Sequence, residues 1–395
     1  MKNISRRDFF NKTVAVAAGC ALPLKTGKSS TQASSKPKIR RYKPFGKIGF
    51  KVGDISAGSG QSDPALIEYL FECGINYIDT AYQYPGHEEI IGKVLPKWRD
   101  KIFVTTKWDP KLVTATVTKA ELLKALDIQL KRLNTTYVDC MMIHAIGHPE
   151  IGDITRIKNP AIYEAWEEAK KMGKVRFTGA SSCGVKMLEE IGWGIENGRF
   201  EIITVGANFL THGAGELLKK ARAKGVATVA MKTMAIFKSS LNIRALMDKN
   251  TNTRQAVIKY ILASDLFDTM IIGMRNYEQV SEYLSISGYT RLDEEEKKLL
   301  HELREEAGAK YCRPCCDHCY GTCPHNVPIW DILRYKMYFE NYGEEKYAMK
   351  TYNKLPDSRT AKACVDCPAP CEKACPYKIP IRERLHEAHT QLTFA

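Results

Sequence analysis

The segment DPALIEYLFEC (63–73) is followed at once by GINYIDT (74–80), and this pair decides the fold. In the first segment apolar residues recur at spacings of three and four, which predicts an amphipathic helix. Asp63 and Pro64 are typical of an N-cap and of the first helical position. The second segment is short and rich in Tyr, Ile and Thr, which predicts a strand. One helix followed by one strand is the unit that the chain repeats.

The same alternation runs from about Ile48 to Leu284. The predicted strands are short β-branched or apolar runs: DISAGS (54–59), NYIDT (76–80), IFVTTK (102–107), YVDCMMIH (137–144), FTGAS (177–181), IITVGAN (202–208), ATVAMK (227–232) and TMIIG (269–273). Eight such repeats predict an α/β fold, a (β/α)8 TIM barrel. The preceding stretch KPFGKIGFKVG (43–53) predicts a hairpin that closes the bottom of the barrel.

Charge is distributed unevenly along the chain. Residues 1–51 carry 13 Lys/Arg and one acidic residue, whereas the remaining 46 basic and 44 acidic residues nearly cancel. The net charge of +14 therefore belongs to the N-terminal segment and not to a binding face of the folded body. We expect no nucleic-acid partner.

The first 36 residues have the pattern of a targeting segment. SRRDFF (5–10) places two arginines before a phenylalanine pair, and the apolar run VAVAAGCALPL (14–24) follows. This run is too short to span a bilayer, so we expect no transmembrane helix. The pattern resembles a twin-arginine signal, which implies export to the periplasm or cell envelope. A disordered basic N-terminus on a cytoplasmic enzyme is the alternative.

Four polar side chains fall at or after consecutive predicted strands. Asp79 ends the second strand, Tyr84 lies in the following loop, Lys107 ends the third strand and His144 ends the fourth. In a TIM barrel the chemistry is located at these carboxyl ends. Each residue alone has an ordinary structural explanation, but the four together predict an active site.

At this point the sequence resembles the aldo-keto reductase family. The matching text is GINYIDTAYQY (74–84), FVTTKW (103–108), YVDCMMIH (137–144) and GKVRFTGASS (173–182), and the likeness predicts a barrel domain over residues 37–290. It implies that Tyr84 is the general acid in carbonyl reduction by hydride transfer. Lys107 would lower the pKa of Tyr84, Asp79 would hold Lys107, and His144 would orient the carbonyl.

The resemblance also implies a nicotinamide cofactor, NAD(P)H, with departures from the family pattern around the nicotinamide. Ser181 matches a serine that contacts the carboxamide, and Ser182 stands where asparagine is usual. Thr204 replaces a glutamine, and Met231 replaces an aromatic residue that stacks on the ring. Loss of turnover with free cofactor is therefore an open alternative.

The segment IIGMRNYEQVSEY (271–283) matches the part of the family that holds the adenosine phosphate. Gly273 stands where lysine is usual, Gln279 where arginine is usual, and Arg275 is the cation nearby. A choice between NAD and NADP does not follow from this segment.

Nine of the thirteen cysteines lie between residues 312 and 375 in two runs offset by 52 residues. AKYCRPC (309–315) aligns with AKACVDC (361–367), and both runs then follow C-x2-C-x3-C-x3-C-P. The predicted metal ligands are Cys312, Cys315, Cys319, Cys323, Cys364, Cys367, Cys371 and Cys375. Cys316 aligns with Pro368, so the repeat leaves it without a ligand role. Whether Cys315 or Cys316 is the ligand stays open at this point.

Close cysteine runs ending in Cys-Pro resemble ferredoxins, which implies two 4Fe-4S clusters in a small helical domain over residues 291–395. By that resemblance the fourth cysteine of each run crosses over. One cluster would use Cys312, Cys315, Cys319 and Cys375, and the other Cys323, Cys364, Cys367 and Cys371. Structural zinc and disulfides remain alternatives.

Two functional interpretations follow. The chain is either a carbonyl reductase or alcohol dehydrogenase coupled to electron transfer through the clusters, or an electron-transfer or binding protein whose barrel no longer turns over a nicotinamide cofactor. The first implies a small carbonyl or alcohol substrate and an external redox partner protein. The sequence names neither of them.

Overall fold

A closed barrel of eight parallel strands forms the centre of the computed structural model, which describes residues 36–211, 213–235 and 252–393. The strands are β1 (Tyr42–Pro44), β2 (Lys51–Gly53), β3 (Ile55–Ala57), β4 (Tyr77–Asp79), β5 (Phe103–Trp108), β6 (Val138–Ile143), β7 (Val175–Ser182), β8 (Ile202–Gly206), β9 (Ala227–Met231) and β10 (Thr269–Ile272). Strands β3 to β10 pair in sequence order, and β10 closes on β3. The predicted TIM barrel is confirmed.

The described α-helices surround the barrel and then form the tail. Around the barrel they are α1 (Pro64–Glu72), α2 (His87–Gly92), α3 (Leu95–Trp98), α4 (Lys119–Arg132), α5 (Thr155–Lys158), α6 (Pro160–Lys171), α7 (Met187–Glu196), α8 (Gly215–Ala223), α9 (Thr253–Leu262) and α10 (Tyr277–Leu284). In the tail they are α11 (Glu294–Ala307), α12 (Ile329–Asn341), α13 (Glu345–Tyr352), α14 (Pro370–Ala374) and α15 (Ile381–Leu392).

The helix starts follow from local chemistry. Asp63 accepts a hydrogen bond from the backbone N–H of Ala65 at 3.0 Å, and Pro64 opens the helix. Asn159 caps α6 in the same way. Thr118 and Glu121 form a reciprocal capping box at the start of α4. These side chains satisfy N–H groups that have no partner inside a helix.

The β1–β2 hairpin closes the amino-terminal end of the barrel, as the sequence predicts. Phe45 is fully buried, and its ring lies 5.5 Å from the rings of Tyr77 and Phe103 in edge-on contacts. The next residue, Gly46, has φ +52°, and a Cβ there would lie 2.6 Å from the backbone nitrogen of Ala227. Only glycine lets the hairpin approach the barrel this closely.

The tail has an apolar core of its own. Buried side chains from α12, α13 and α15, with the cysteines of both runs, form a cluster separate from the barrel core. Helix α11 links the two parts through a buried ion pair between Glu296 and Lys259 of α9. Residues 36–395 nevertheless group as one compact unit, and the domain boundary near residue 290 stays a prediction.

The predicted targeting segment, residues 1–36, lies almost wholly outside the described residues. Over the part of the chain that is described, no helix combines the length and the apolar character needed to cross a membrane.

We predict that Phe45→Ala destabilises the protein by about 3–5 kcal/mol, because it leaves a cavity among the rings at the barrel bottom. Urea unfolding followed by far-UV circular dichroism measures this change. Lys51→Ala, an exposed side chain on the same hairpin, is the control and should change stability by less than about 0.5 kcal/mol. Equal effects of the two substitutions would contradict a closing role for Phe45.

Candidate active site and cysteine cavities

The four predicted catalytic side chains meet at the carboxyl end of the barrel. Lys107 of β5 donates hydrogen bonds to Oδ1 of Asp79 at 2.5 Å and to the carbonyl of Thr80 at 2.7 Å. The Lys107 ammonium lies 5.8 Å from the centre of the Tyr84 ring. The ring of Tyr84 in turn meets the His144 imidazole edge-on at 5.7 Å. Strands β4, β5 and β6 are neighbours in the barrel, which is why these residues converge.

Burial dominates the electrostatics of this group. Asp79 and Lys107 are almost completely buried, and burial raises the pKa of Asp79 although Lys107 opposes the shift. Burial likewise raises the pKa of Tyr84 above its ordinary value, and Lys107 lowers it by less. Lys107 thus acts on the pKa of Tyr84 in the predicted direction, but the cost of burying a phenolate, which the sequence does not reveal, is larger. The Tyr84 hydroxyl therefore keeps its proton at neutral pH.

His144 is held in its neutral form. Burial and the charge of Lys107 lower the pKa of His144 well below the ordinary value. Its Nδ1 atom is buried and has no hydrogen-bond partner among the described residues. A neutral imidazole can donate one hydrogen bond without adding a charge.

A second layer of buried polar side chains supports the group, and sequence reasoning missed it. His87 contacts the Thr80 hydroxyl at 2.9 Å and Gln61 at 3.1 Å, and burial lowers the pKa of His87 to about 4. Gln129 donates to the carbonyl of Lys107 at 3.0 Å and to Glu88. These residues lie on helices and loops with no motif that would have identified them.

The two serines predicted to bind the cofactor are buried at the end of β7. Ser181 accepts a hydrogen bond from the backbone N–H of Ala145 at 3.3 Å, which leaves its own O–H to donate. Ser182 donates to the carbonyl of Ile146 at 2.6 Å. Thr204 is directed into the barrel, where its hydroxyl lies 3.7 Å from the sulfur of Met142. Of these side chains, Ser181 is the one best suited to a nicotinamide.

The predicted phosphate segment forms the turn between β10 and α10. Gly273 lies so close to the chain that a Cβ would be 2.6 Å from the carbonyl oxygen of Ser59. Gln279 accepts a hydrogen bond from the backbone N–H of Arg275 at 2.8 Å, and Asn276 caps the helix. The Arg275 side chain is exposed. An exposed guanidinium beside a helix N-terminus can bind a phosphate.

The tail lies against the carboxyl end of the barrel, above the candidate active site. Trp330 of α12 packs on His148 with ring centres 5.3 Å apart. Arg359 pairs with Glu150 at 2.5 Å, and Arg304 donates to the carbonyl of Phe209 at 3.1 Å. Each of these barrel partners lies in a loop that follows a strand.

The tail contains two cavities, and each is lined by four cysteines. The first is lined by Cys312, Cys316, Cys319 and Cys375, and the second by Cys323, Cys364, Cys367 and Cys371. The fourth cysteine of each run thus lines the cavity formed mainly by the other run. Burial and neighbouring thiols raise the pKa of Cys312, Cys319 and Cys364 to about 12. Thiols packed in this way ionise readily only beside positive charge.

The structure corrects one residue of the first set. Cys316 lines the first cavity, whereas Cys315 belongs to the apolar core of the barrel, with its Sγ 3.7 Å from the carbonyl oxygen of Gly206. The cause is local, because Cys315 has φ +61° and the chain turns there. The 52-residue repeat had placed Cys315 in the set and left Cys316 over.

The thiols surround cavities and do not converge on a point. Within residues 36–211, 213–235 and 252–393, no group of three or more His, Cys, Asp or Glu side chains is arranged to hold a single metal ion. A tetrahedral zinc site needs four sulfurs at about 2.3 Å from one atom. A larger cluster is coordinated at several separate iron atoms.

Three further residues at the barrel mouth were missed or undervalued. His148 lies four residues after His144, Lys232 follows β9, and Cys183 follows β7. Lys232 ends the predicted strand ATVAMK much as Lys107 ends IFVTTK, and this parallel could have identified it.

Comparison with known proteins agrees with this geometry. The model of the Aldo/keto reductase family matches residues 53–251, which include all four catalytic candidates and both serines. An uncharacterized oxidoreductase of Bacillus subtilis, YqkF, is 25% identical over 292 residues, which cover 63% of this chain and 90% of the relative. D-galacturonate reductase of Fragaria ananassa is 24% identical over 285 residues, or 64% and 85% of the two chains.

Solved structures show the same fold. An aldo-keto reductase of Bacillus halodurans superposes with a TM-score of 0.54 at 24% identity, covering 67% of this chain and 96% of that chain. The thermostable aldo-keto reductase Tm1743 has a TM-score of 0.52 at 25% identity, covering 67% and 99%.

We predict that Lys107→Met lowers stability by about 3–5 kcal/mol at neutral pH, because Asp79 is left buried without its counter-charge. The pKa of Asp79 is already above its ordinary value of 3.8. The native state then binds a proton that the unfolded chain releases, so stability of the variant falls as pH rises from about 4. Urea unfolding between pH 4 and 8 measures this. Lys111→Met, at an exposed lysine, is the control, and a pH-independent loss would contradict the prediction.

Proposed function

The chain belongs to the aldo/keto reductase family, and we propose that it reduces a small carbonyl compound to an alcohol, or catalyses the reverse oxidation, with Tyr84 as the general acid. The observation that carries this proposal is the convergence of Asp79, Tyr84, Lys107 and His144 at the carboxyl end of the barrel. Members of this family are oxidoreductases, and use of NADP(H) is typical of them.

Each side chain would have a separate task in that reaction. Tyr84 keeps its proton until negative charge develops on the carbonyl oxygen, and then donates it. Lys107 stabilises the phenolate left behind, and Asp79 keeps the ammonium in place. The neutral imidazole of His144 donates a hydrogen bond to the same oxygen and orients it without competing for the proton.

A bound NAD(P)H would supply the hydride. Ser181 retains an O–H that can meet the carboxamide, and Arg275 and the backbone at Gly273 can meet a phosphate. Ser182 and Gln279 are already engaged with the backbone, so we expect them to shape the site more than to hold the cofactor.

We further propose that the tail holds two 4Fe-4S clusters. Support comes from the two four-cysteine cavities, with Cys316 replacing Cys315 in the first. Such clusters supply one-electron transfer when bound. We propose that they exchange electrons with an external redox partner protein. A twin-arginine route to the periplasm or cell envelope would agree with a protein that is loaded with clusters before export.

A second candidate function is an electron-transfer or binding protein whose barrel does not turn over free cofactor. Thr204 favours it, because this residue stands where the family pattern has a glutamine and its hydroxyl lies beside the Met142 sulfur.

Tyr84→Phe tests the enzymatic proposal. We expect at least a hundredfold loss of kcat for carbonyl reduction, because the general acid is removed while the ring remains. Tyr82→Phe is the matched control. Tyr82 lies two positions before Tyr84 in the sequence, and its ring packs on Arg132. Reduction by the parent protein that survives in Tyr84→Phe would exclude Tyr84 as the acid. A parent protein with no reductase activity toward any carbonyl compound, and no binding of NAD(P)H, would favour the second candidate.

Iron and sulfide analysis of anaerobically purified protein tests the clusters. Two 4Fe-4S clusters correspond to about eight irons per chain. We expect Cys316→Ser to lose about half of this iron and Cys315→Ser to keep it all. The reverse result would restore the assignment based on the repeat, and zinc in place of iron would overturn the cluster proposal.

A further inference from the structure

Two cysteines outside the cluster cavities meet where the tail contacts the barrel. Cys183 directly follows β7, and Cys315 belongs to the tail, 132 residues later. A Cβ built on Gly206 would lie 2.6 Å from the Sγ of Cys315 and 2.9 Å from the Cβ of Cys183. The Cys315 sulfur and the Cys183 Cβ are therefore no more than about 5.5 Å apart. In a disulfide the two sulfurs are about 2.05 Å apart, so bond formation requires the Cys183 and Cys315 side chains to turn toward each other.

The surroundings of Cys183 favour a reactive thiolate. Its Sγ lies 3.7 Å from Nε2 of the half-buried His148. Burial alone would raise the pKa of Cys183, but the hydrogen bond with His148 and the charge of Lys232 lower it to about 6. The thiolate is the form of cysteine that attacks disulfides.

The remaining cysteines in the described residues have other environments. Eight line the two cavities of the tail, and Cys73 and Cys140 are fully buried in the barrel. Cys183 alone among the barrel cysteines is partly exposed, and it faces Cys315. Simple packing would account for a buried Cys315, but it does not account for a second thiol opposite it beside an imidazole and an ammonium.

We propose that Cys183 and Cys315 form a redox-active dithiol–disulfide pair at the junction of the barrel mouth and the tail, which exchanges with disulfides of low molecular weight. The inference shares one premise with the proposed function, namely that Cys316 and not Cys315 is the cluster ligand. It requires neither Tyr84 nor a nicotinamide cofactor.

The exchange is balanced in two steps. The Cys183 thiolate attacks one sulfur of a small disulfide, which forms a mixed disulfide and releases one small thiolate. The sulfur of Cys315 then gives up its proton and attacks Cys183, which forms the Cys183–Cys315 bond and releases the second small thiolate. Two protein thiols are oxidised, and one small disulfide is reduced to two thiols. The protons pass to the released thiolates, with His148 placed to take the one from Cys183.

Oxidation would join the tail covalently to the barrel above the candidate active site. The bond would fix the loop of Cys315 at the ends of β7 and β8, next to the first cysteine cavity. The negative charge of Cys183 raises the pKa of Tyr84. Oxidation of Cys183 would remove that charge.

The test treats the full-length, anaerobically purified protein with hydroxyethyl disulfide and identifies the linked peptides by mass spectrometry. We expect a Cys183–Cys315 cross-link that dithiothreitol removes, with the iron content unchanged. Cys183→Ser should abolish the link, while Cys73→Ser, at a buried barrel thiol, should leave its yield the same. A persistent mixed disulfide on Cys183 with no link to Cys315 would overturn the proposal, as would a link to Cys316.

Two further variants separate chemistry from folding. Gly206→Ala keeps both thiols but places a methyl group between them, so we expect the rate of cross-linking to fall at least tenfold. His148→Gln should move the pH of half-maximal alkylation of Cys183 upward from about 6. If neither variant changes these quantities, the pair has no functional role. Iron content and the Tyr84→Phe result report on the proposed function independently, so failure of one idea is distinguishable from failure of the other.

Discussion

The ion pair between Lys107 and Asp79 is the constraint on which the candidate active site depends. Both groups are buried at the ends of adjacent strands, where an unpaired charge would cost several kcal/mol. Their pairing allows an ammonium to remain beside Tyr84 and His144 in a poorly solvated place. The same burial keeps the phenol protonated and the imidazole neutral. A charged pair thus lies beside two uncharged groups, Tyr84 and His144, for which we propose contact with the substrate.

The tail adds a second constraint, because it lies on the end of the barrel where that site opens. Contacts from Trp330, Arg359 and Arg304 reach two loops of the barrel, the one after β6 and the one after β8. The tail therefore forms part of the surroundings of the candidate active site. The proposed clusters of the tail and the candidate active site of the barrel lie on either side of one junction, and Cys183 and Cys315 lie in it.

Patterns with a fixed period were read correctly from the sequence. The eight strands and the cap at Asp63 depend on neighbours within a few residues, and local spacing reveals them. The convergence of the catalytic candidates followed from the rule that parallel strands end at one face. Burial energies do not follow from spacing, so the sequence predicted the effect of Lys107 on the pKa of Tyr84 but not the larger, opposite effect of burial. Cys183 and Cys315 are more than a hundred residues apart in the sequence, and no local spacing pattern predicts that they approach each other.

The error at Cys315 has a physical explanation in the two cysteine runs. In the second run, Cys367 lines its cavity, and the following Pro368 has a φ restricted to about −65°. In the first run, the equivalent Cys315 has φ +61°, and the residue after it is a cysteine instead of a proline. The left-handed turn directs Cys315 to Gly206 of the barrel and brings Cys316 into the cavity. The first run contacts the barrel at Cys315, whereas Cys367 of the second run lines a cavity within the tail. The repeat is therefore broken at the point where the first run meets the barrel. The adjacent cysteines therefore serve two surfaces, the cavity on one side and the barrel mouth on the other.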